Sequence, residues 1–135
     1  MKNSSLTKAI SYKDFKKEVL DDYKTIIISR EASLLGRKEV LSGKAKFGIF
    51  GDGKELPQVA MAKVFEKGDF RSGYYRDQTF MFSIDELTVQ QFFAGLYANT
   101  NFDEEPMSGG RQMGSHFSSV FVDENGKFKD LPNQY

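Results

Sequence analysis

A regular spacing of apolar residues near the N-terminus is the strongest constraint on the fold of this chain. From Ser11 onward, apolar residues recur at steps of three and four, which places them along one face of an α-helix. They are Tyr12, Phe15, Val19, Tyr23, Ile26, Ile27 and Leu34. Ser11 and Asp14 have the pattern of a helix N-cap, and the charged residues fall mostly on the opposite face. The pattern predicts a long amphipathic helix that begins near Ser11.

Glycine and proline residues predict the limits of the next elements. Gly36 and Gly43 predict the two ends of a short second helix, followed by an irregular reversal of the chain. Pro57 has the position of a first-turn residue in a third helix, which Gly68 is expected to end. This half of the chain is therefore predicted to be mostly helical.

The second half of the chain mixes short elements with a long loop. Residues 70–75 predict a short strand, and residues 76–84 predict one or two helical turns. Thr88 and Gln91 match a capping box ahead of a last helix. The buried side of that helix is predicted to consist of Phe92, Phe93, Leu96 and Tyr97. Residues 100–119 are rich in Gly and Ser and predict a loop, and loops of this length are often functional.

The length of the chain sets its domain organisation. A chain of 135 residues has room for one modest domain with one core. Residues 1–10 are polar and aperiodic and predict a flexible tail, so residues 11–135 are expected to form the domain. Near its end, Asn125 and Gly126 predict a turn after one short apolar strand.

Charge and composition exclude several classes of protein. Lys and Arg together number 19, as do Asp and Glu, so the chain lacks the long-range field that attracts proteins to nucleic acid or anionic membranes. The absence of Cys excludes disulfides, thiolate metal sites and thiol nucleophiles, and fits a reducing compartment. No apolar run is long enough to span a membrane. We expect a soluble, cytoplasmic protein with no nucleic-acid or membrane partner. Its 13 Phe and 6 Tyr are many for this size and suggest either an interface with a partner or a Phe-rich core.

The sequence GDGK at residues 51–54 is a candidate phosphate-binding loop, but the residues that follow it do not match a known phosphate-binding motif. Glycines let backbone amides approach an anion, and Lys54 could neutralise its charge. However, Glu55 follows Lys54 where a nucleotide-binding loop has Ser or Thr. A GDG also begins a magnesium and diphosphate motif, which needs an Asn further along, and residues 78–82 contain none. We therefore interpret residues 51–54 as a tight turn before a helix.

His116 is the one histidine of the chain, so it cannot join a second histidine at a metal ion. It lies in a Gly- and Ser-rich loop, where an imidazole can hydrogen-bond a ligand and titrate near neutrality. Arg111 in the same loop strengthens a functional interpretation. A histidine with only a structural role is the alternative.

Tyr75 and Arg76 form a candidate anion site at the boundary of a predicted strand and helix. A guanidinium makes paired, charge-assisted bonds to diphosphate, and a phenol adds another. The alternative is a surface ion pair between Arg76 and Asp77 or Asp69. Spacing alone favours neither.

Four short motifs follow one another in an order that resembles a known enzyme family. The motifs are Gly43 to Phe47, then Gly53-Lys54-Glu55, then Gly68-Asp69 leading to Tyr75-Arg76, and then Gly110-Arg111-Gln112-Met113 ahead of His116. Together they resemble the alpha subunit, or alpha-beta fusion, of thiamine-diphosphate-dependent 2-oxo acid dehydrogenases. The resemblance covers residues 23–119.

The resemblance implies a role for each candidate site residue. Tyr75 and Arg76 match the pair that binds the diphosphate of the coenzyme, and His116 matches a loop histidine beside the thiazolium and substrate. Arg111 is expected to order that loop. The family decarboxylates a 2-oxo acid and transfers the acyl fragment to a lipoyl group on a partner acyltransferase. The sequence GRQM at residues 110–113 slightly favours branched-chain over pyruvate enzymes.

The resemblance also implies that this chain is one part of a larger enzyme. The parent fold is an α/β thiamine-diphosphate-binding sandwich, of which this segment is expected to be mostly helical with a few short strands. The magnesium and diphosphate motif is expected beyond Tyr135, and the acid that activates the coenzyme belongs to a beta subunit or fused beta half. We therefore expect no catalytic metal ligand here, no turnover and little or no coenzyme binding by this segment alone, and self-association.

Two features leave alternatives open. Lys54 stands where the family usually has Gln or Glu, and Tyr74 stands where some relatives have Gln, so contacts near the coenzyme can differ from the family pattern. A non-catalytic helical interaction or dimerisation module is the second hypothesis for the whole chain.

Overall fold

Four helices account for most of the regular structure. The computed structural model describes residues 9–66, 68–117 and 121–129. The helices are α1 (Tyr12–Leu41), α2 (Glu55–Ala62), α3 (Gln78–Ser83) and α4 (Val89–Leu96). Within the described ranges, β structure is limited to an isolated antiparallel bridge between Val122 and Phe128. The segment is thus mostly helical, as predicted. The α/β sandwich of the parent fold stays a prediction, and most of the tail predicted at residues 1–10 lies outside the described residues.

Helix α1 begins as predicted but continues further than the glycine pattern indicated. The backbone N–H of Asp14 donates to Oγ of Ser11 over 3.1 Å, which caps the first turn. The prediction of a separate helix after Gly36 is wrong, because Gly36 lies inside α1. A Cβ on Gly36 would lie 2.5 Å from the ring of Phe50, so glycine serves close packing there. The helix ends at Leu41, and Gly43 follows with a φ of +78°.

The shorter elements follow local sequence signals with one exception. Pro57 lies in the first turn of α2 as predicted, although that helix ends at Ala62, before Gly68. The strand predicted at residues 70–75 is wrong, since residues 70–74 form irregular chain that leads into a turn. No described strand lies beside them to pair with. The helical turns predicted at residues 76–84 are confirmed as α3.

The cap of helix α4 is confirmed, and its buried side is confirmed in part. The Thr88 hydroxyl and the Gln91 side chain each bond the other residue's backbone N–H, which makes a capping box. Phe92 is buried, and Phe93 and Leu96 are partly buried. Tyr97 is half exposed, because its hydroxyl extends to donate to the Glu39 carboxylate over 2.7 Å.

The core forms where α3 packs against small residues of α1. Phe80 and Met81 are almost completely buried, together with Ala32, Leu87 and Phe92. Small polar side chains of α1 let α3 approach closely, and their hydrogen-bonding groups find partners there. Ser29 and Thr79 share a hydrogen bond of 2.6 Å, and Nε2 of Gln78 donates to Oγ of Ser33 over 2.7 Å.

The apolar stripe that predicted α1 remains largely exposed. Tyr12 is 79% exposed, and Phe15, Val19, Leu20 and Tyr23 are exposed as well. Exposed apolar surface of this extent is typical of a protein interface. No helix in the described part of the chain is long and apolar enough to cross a membrane.

Candidate functional site

A tight turn presents Tyr75 and Arg76 just before α3. The backbone N–H of Asp77 donates to the carbonyl of Tyr74 over 3.0 Å. In return, the N–H of Tyr74 donates to Oδ2 of Asp77 over 2.8 Å. These two bonds close the turn from both ends, so the two residues between them project from a defined backbone. We refer to residues 74–77 as the YR turn.

The guanidinium of Arg76 lies over two tyrosine rings. Its carbon atom is 5.2 Å from the ring centroid of Tyr74 and 5.9 Å from that of Tyr75. An arginine over aromatic faces is held by cation–π attraction while its N–H groups stay available for other bonds.

The surface ion pair considered as an alternative for Arg76 does not form. Asp77 pairs with Arg71 at 3.3 Å. Asp69 accepts a hydrogen bond from the backbone N–H of Glu66 over 2.8 Å. Among the described residues, no carboxylate lies within ion-pair distance of Arg76.

Tyr75 lies beside the loop histidine. Its ring centroid is 6.0 Å from that of His116, with a tilt of 35° between the rings. The hydroxyl of Tyr74 donates to that of Tyr75 over 2.8 Å. The Tyr75 hydroxyl keeps its own proton for donation to another acceptor. The fold thus brings together two residues that are far apart in sequence.

His116 has a defined hydrogen bond on one ring nitrogen. Its Nδ1 lies 2.8 Å from the carbonyl oxygen of Met113. Because a carbonyl only accepts, we assign the proton of neutral His116 to Nδ1, which leaves Nε2 as an acceptor. The preceding residue, Ser115, is buried and has a φ of 64°, an uncommon backbone conformation for a residue other than glycine.

A buried carboxylate that the sequence analysis missed organises the loop before His116. Oε2 of Glu105 accepts hydrogen bonds from the N–H and hydroxyl of Ser108 and from the N–H of Gly110, at 2.8 to 2.9 Å. Burial raises the pKa of Glu105, but the Gly110 and Ser108 donors outweigh it, so the pKa lies below its ordinary value. An acidic residue directly ahead of a Gly- and Ser-rich segment was the available sequence signal.

Arg111 contacts the same loop from its exposed side. It donates from Nη1 to the carbonyl of Ser108 over 3.1 Å, and its guanidinium lies 5.2 Å from the ring centroid of Phe102. The expectation that Arg111 orders the loop stays a prediction, beside the contribution of Glu105.

Two residues of the preceding elements support the backbone of Arg76. Nε2 of Gln58 donates to the Arg76 carbonyl over 3.2 Å, and its Oε1 accepts the N–H of Phe80 over 3.0 Å. A Cβ on Gly51 would lie 2.1 Å from the same carbonyl oxygen. The tight turn predicted at residues 51–54 is confirmed by a bond of 3.1 Å from the Lys54 N–H to the Gly51 carbonyl. The sequence analysis did not foresee that this turn packs against Arg76.

A partly buried ion pair anchors the tight turn. Arg30 on α1 donates to both carboxylate oxygens of Glu55, over 2.6 and 2.8 Å. The N–H of Gly53 also lies within 3.1 Å of both oxygens. The Arg30 hydrogen bond is the main cause that lowers the pKa of Glu55 from 4.5 to about 2. Because Glu55 binds both Arg30 and the Gly53 N–H, it fixes the position of the tight turn at residues 51–54, which contacts the YR turn at Arg76.

A small pocket opens between these elements. Its volume is about 30 Å³. It is lined by Phe47, Gly48, Ile49, Phe50, Tyr75, Phe92, Leu96, Met113, Gly114 and Ser115. A pocket that holds a coenzyme is roughly ten times larger. The pocket formed by the described residues is therefore too small to hold a coenzyme.

This chain is similar to known proteins. Residues 23–130 match the family described as the dehydrogenase E1 component. The chain belongs to this family. It is 32% identical over 105 residues to the 2-oxoisovalerate dehydrogenase subunit alpha of Bacillus subtilis (strain 168), which covers 74% of this chain. The chain spans 29% of the length of that relative. No solved structure matches the chain significantly.

The side chains of this dehydrogenase E1 segment suit thiamine diphosphate, the coenzyme that the resemblance implies. A guanidinium that has no carboxylate partner in the described part of the chain, and a phenol with a proton to donate, are chemically suited to a diphosphate. Among the described residues, no group of three His, Asp or Glu side chains could hold a metal ion.

Proposed function

We propose that this chain forms one side of the coenzyme site in a thiamine-diphosphate-dependent 2-oxo acid dehydrogenase. The observation that carries the proposal is the YR turn beside His116, in which Arg76 has two aromatic contacts and no carboxylate partner among the described residues. A positive group held in this way suits an anion supplied from outside the segment.

Arg76 and Tyr75 bind the coenzyme diphosphate in this proposal. The guanidinium forms charge-assisted hydrogen bonds to phosphate oxygens, and the Tyr75 hydroxyl donates one more. Hydrogen bonds to charged groups contribute about 1.5–3 kcal/mol each when shielded from water. Gln58 and Gly51 hold the Arg76 backbone in place, since both contact its carbonyl.

His116 acts at the reacting end of the site. Its Nδ1 is bonded to Met113, so its Nε2 is the atom that accepts a proton from, or returns one to, a substrate oxygen. Bound thiamine diphosphate supplies the electron sink for loss of carbon dioxide from the 2-oxo acid. The left-handed backbone at Ser115 fixes the direction in which the chain enters His116.

Branched-chain 2-oxo acids are the favoured substrate class. The GRQM sequence at residues 110–113 and the similarity to a 2-oxoisovalerate dehydrogenase subunit both support it. We further propose a beta subunit or fused beta half as the partner that completes the site. A lipoyl-bearing acyltransferase is the acceptor of the acyl group. Magnesium, the cytoplasmic location and self-association belong to the same proposal.

Coenzyme titration tests this function. The enzyme containing this segment, assembled with its beta half, is titrated calorimetrically with thiamine diphosphate in the presence of magnesium. Arg76→Ala is expected to raise the Kd about 10- to 100-fold, because charge-assisted hydrogen bonds are lost. Lys63→Ala, which removes a cation paired with Glu18 and Asp22, is the control and is expected to leave the Kd unchanged. An unaltered Kd in Arg76→Ala would contradict the proposed role.

A non-catalytic interaction module is the second candidate function. The exposed Tyr12, Phe15 and Tyr23 on α1 favour it, because they form an apolar surface without a described partner. The same titration separates the two functions. An assembly that forms normally but binds no thiamine diphosphate would favour the module.

A further inference from the structure

Arg71 is a buried cation whose contacts converge on the YR turn. Its side chain is only 8% exposed. Its Nη2 lies 3.3 Å from Oδ2 of Asp77 and 3.5 Å from the carbonyl oxygen of Tyr74. The guanidinium also lies 5.6 Å from the ring centroid of Phe80. A Cβ on Gly73 would lie 1.8 Å from its central carbon, so the backbone at Gly73 passes close to the guanidinium.

Asp77 is the carboxylate next in sequence to Arg76, and it is 31% exposed. A carboxylate in this position is a natural competitor for the Arg76 guanidinium. It is occupied instead by two other donors, Arg71 and the N–H of Tyr74. Arg76 is thereby left over the tyrosine rings.

We propose that Arg71 is a positioning residue that keeps Asp77 away from Arg76, so that Arg76 stays available for the coenzyme diphosphate. This inference rests on the proposed function, since it concerns the same anion site. Arg71 acts through Asp77 and does not itself touch the coenzyme. Without Arg71, the Asp77 carboxylate loses its neutralising partner and can pair with Arg76, its neighbour in the sequence.

A charge-removal cycle tests the inference in the assembled enzyme. Arg71→Met keeps the aliphatic packing against Phe80 but removes the charge. The Kd for thiamine diphosphate with magnesium is expected to rise about five-fold. This is the effect expected when a partly exposed ion pair between Asp77 and Arg76 competes with the coenzyme for Arg76. Asp77→Asn in the same chain removes the competitor and still offers an oxygen to the Tyr74 N–H. The double variant is therefore expected to regain most of the affinity that Arg71→Met loses. Its Kd should be close to that of Asp77→Asn alone.

The rescue distinguishes this mechanism from loss of packing. If Arg71 only supported the fold, the second substitution would lower the affinity further or leave it low, and either result overturns the inference. An unchanged Kd in Arg71→Met also overturns it. If Arg71→Met fails to fold, Arg71→Gln, which is also neutral and keeps a donor for the Tyr74 carbonyl, takes its place in the same cycle.

Arg76→Ala measured in parallel separates failure of the inference from failure of the proposed function. A weakened Arg76→Ala variant with unaffected Arg71 variants overturns only the role of Arg71. An unaffected Arg76→Ala variant overturns the coenzyme site and the inference together. Lys63→Met, which removes a cation remote from the YR turn, is the matched control and is expected to bind like the unmodified enzyme.

Discussion

The ion pair between Glu55 and Arg30 gives a prediction whose size follows from the structure. The Glu55 side chain is 4% exposed, and its pKa is lowered from 4.5 to about 2, chiefly by the Arg30 hydrogen bond. This pKa difference between the unfolded and folded states corresponds to about 3 kcal/mol of stability at pH 7. We expect Glu55→Gln to lower the free energy of unfolding by about 2–3 kcal/mol at pH 7.

The pH dependence of this loss has a definite sign. A carboxyl with a lowered folded-state pKa stabilises the fold above its unfolded pKa, and the contribution disappears as the pH falls through the folded value. The stability difference between the original chain and Glu55→Gln should therefore be constant above about pH 5.5 and shrink between pH 4.5 and about 2. Urea denaturation followed by circular dichroism across this range measures it.

A matched substitution on the surface controls for the loss of a carboxylate. Glu18→Gln breaks the ion pair between Glu18 and Lys63. These side chains are 47% and 37% exposed, respectively. It is expected to cost less than about 1 kcal/mol, because solvent screens exposed pairs. A loss in Glu55→Gln no larger than in Glu18→Gln, or a loss that does not vary below pH 4.5, would refute the reasoning.

Two further substitutions test the support of the site and of α4. Gly51→Ala is expected to lower the free energy of unfolding by about 1–3 kcal/mol and to weaken coenzyme binding, because its Cβ would meet the Arg76 carbonyl at 2.1 Å. Urea denaturation measures the loss of stability, and coenzyme titration measures the loss of affinity. Gly95→Ala, whose Cβ meets only ordinary contacts from 3.4 Å, is the control and should retain or raise stability, and equal losses in both variants would contradict the steric argument. Thr88→Ala is expected to cost about 1 kcal/mol through loss of the hydroxyl that caps α4, and unchanged thermal unfolding would show that Gln91 alone suffices.

Local signals predicted the elements of this fold better than their packing. The caps at Ser11 and Thr88 involve residues three positions apart, so the sequence contains the whole interaction. Gly36 was misinterpreted as a helix end because the reason for glycine is the ring of Phe50, which arrives from a later segment. The strand predicted at residues 70–75 failed for a similar reason, since strand formation depends on a neighbour that local sequence cannot supply.

The candidate site was likewise predicted only in part, because its main residues were found from the sequence and the residues that support them were not. Tyr75, Arg76 and His116 were selected from residue type and from the resemblance to a family, and the structure places the Tyr75 and His116 rings 6.0 Å apart. The residues that support them were missed, because Gln58 reaches Arg76 across 18 positions and bonds only its backbone. Glu105 is a comparable case, since two of its three hydrogen bonds come from backbone N–H groups, which residue types in the sequence do not reveal.

The distribution of carboxylates explains how a chain of zero formal net charge can present a local anion site. Glu55, Glu105 and Asp77 are all bonded to backbone N–H groups, and two of them also pair with arginines. None of these three carboxylates lies within ion-pair distance of Arg76. Because salt screens charges that lie more than about one Debye length apart, the local arrangement of charges matters more than the total charge of the chain. In the proposed site, the positive character depends on where the acidic residues are bound. Substitutions that release Asp77 should therefore weaken the proposed anion binding without changing Arg76 or Tyr75.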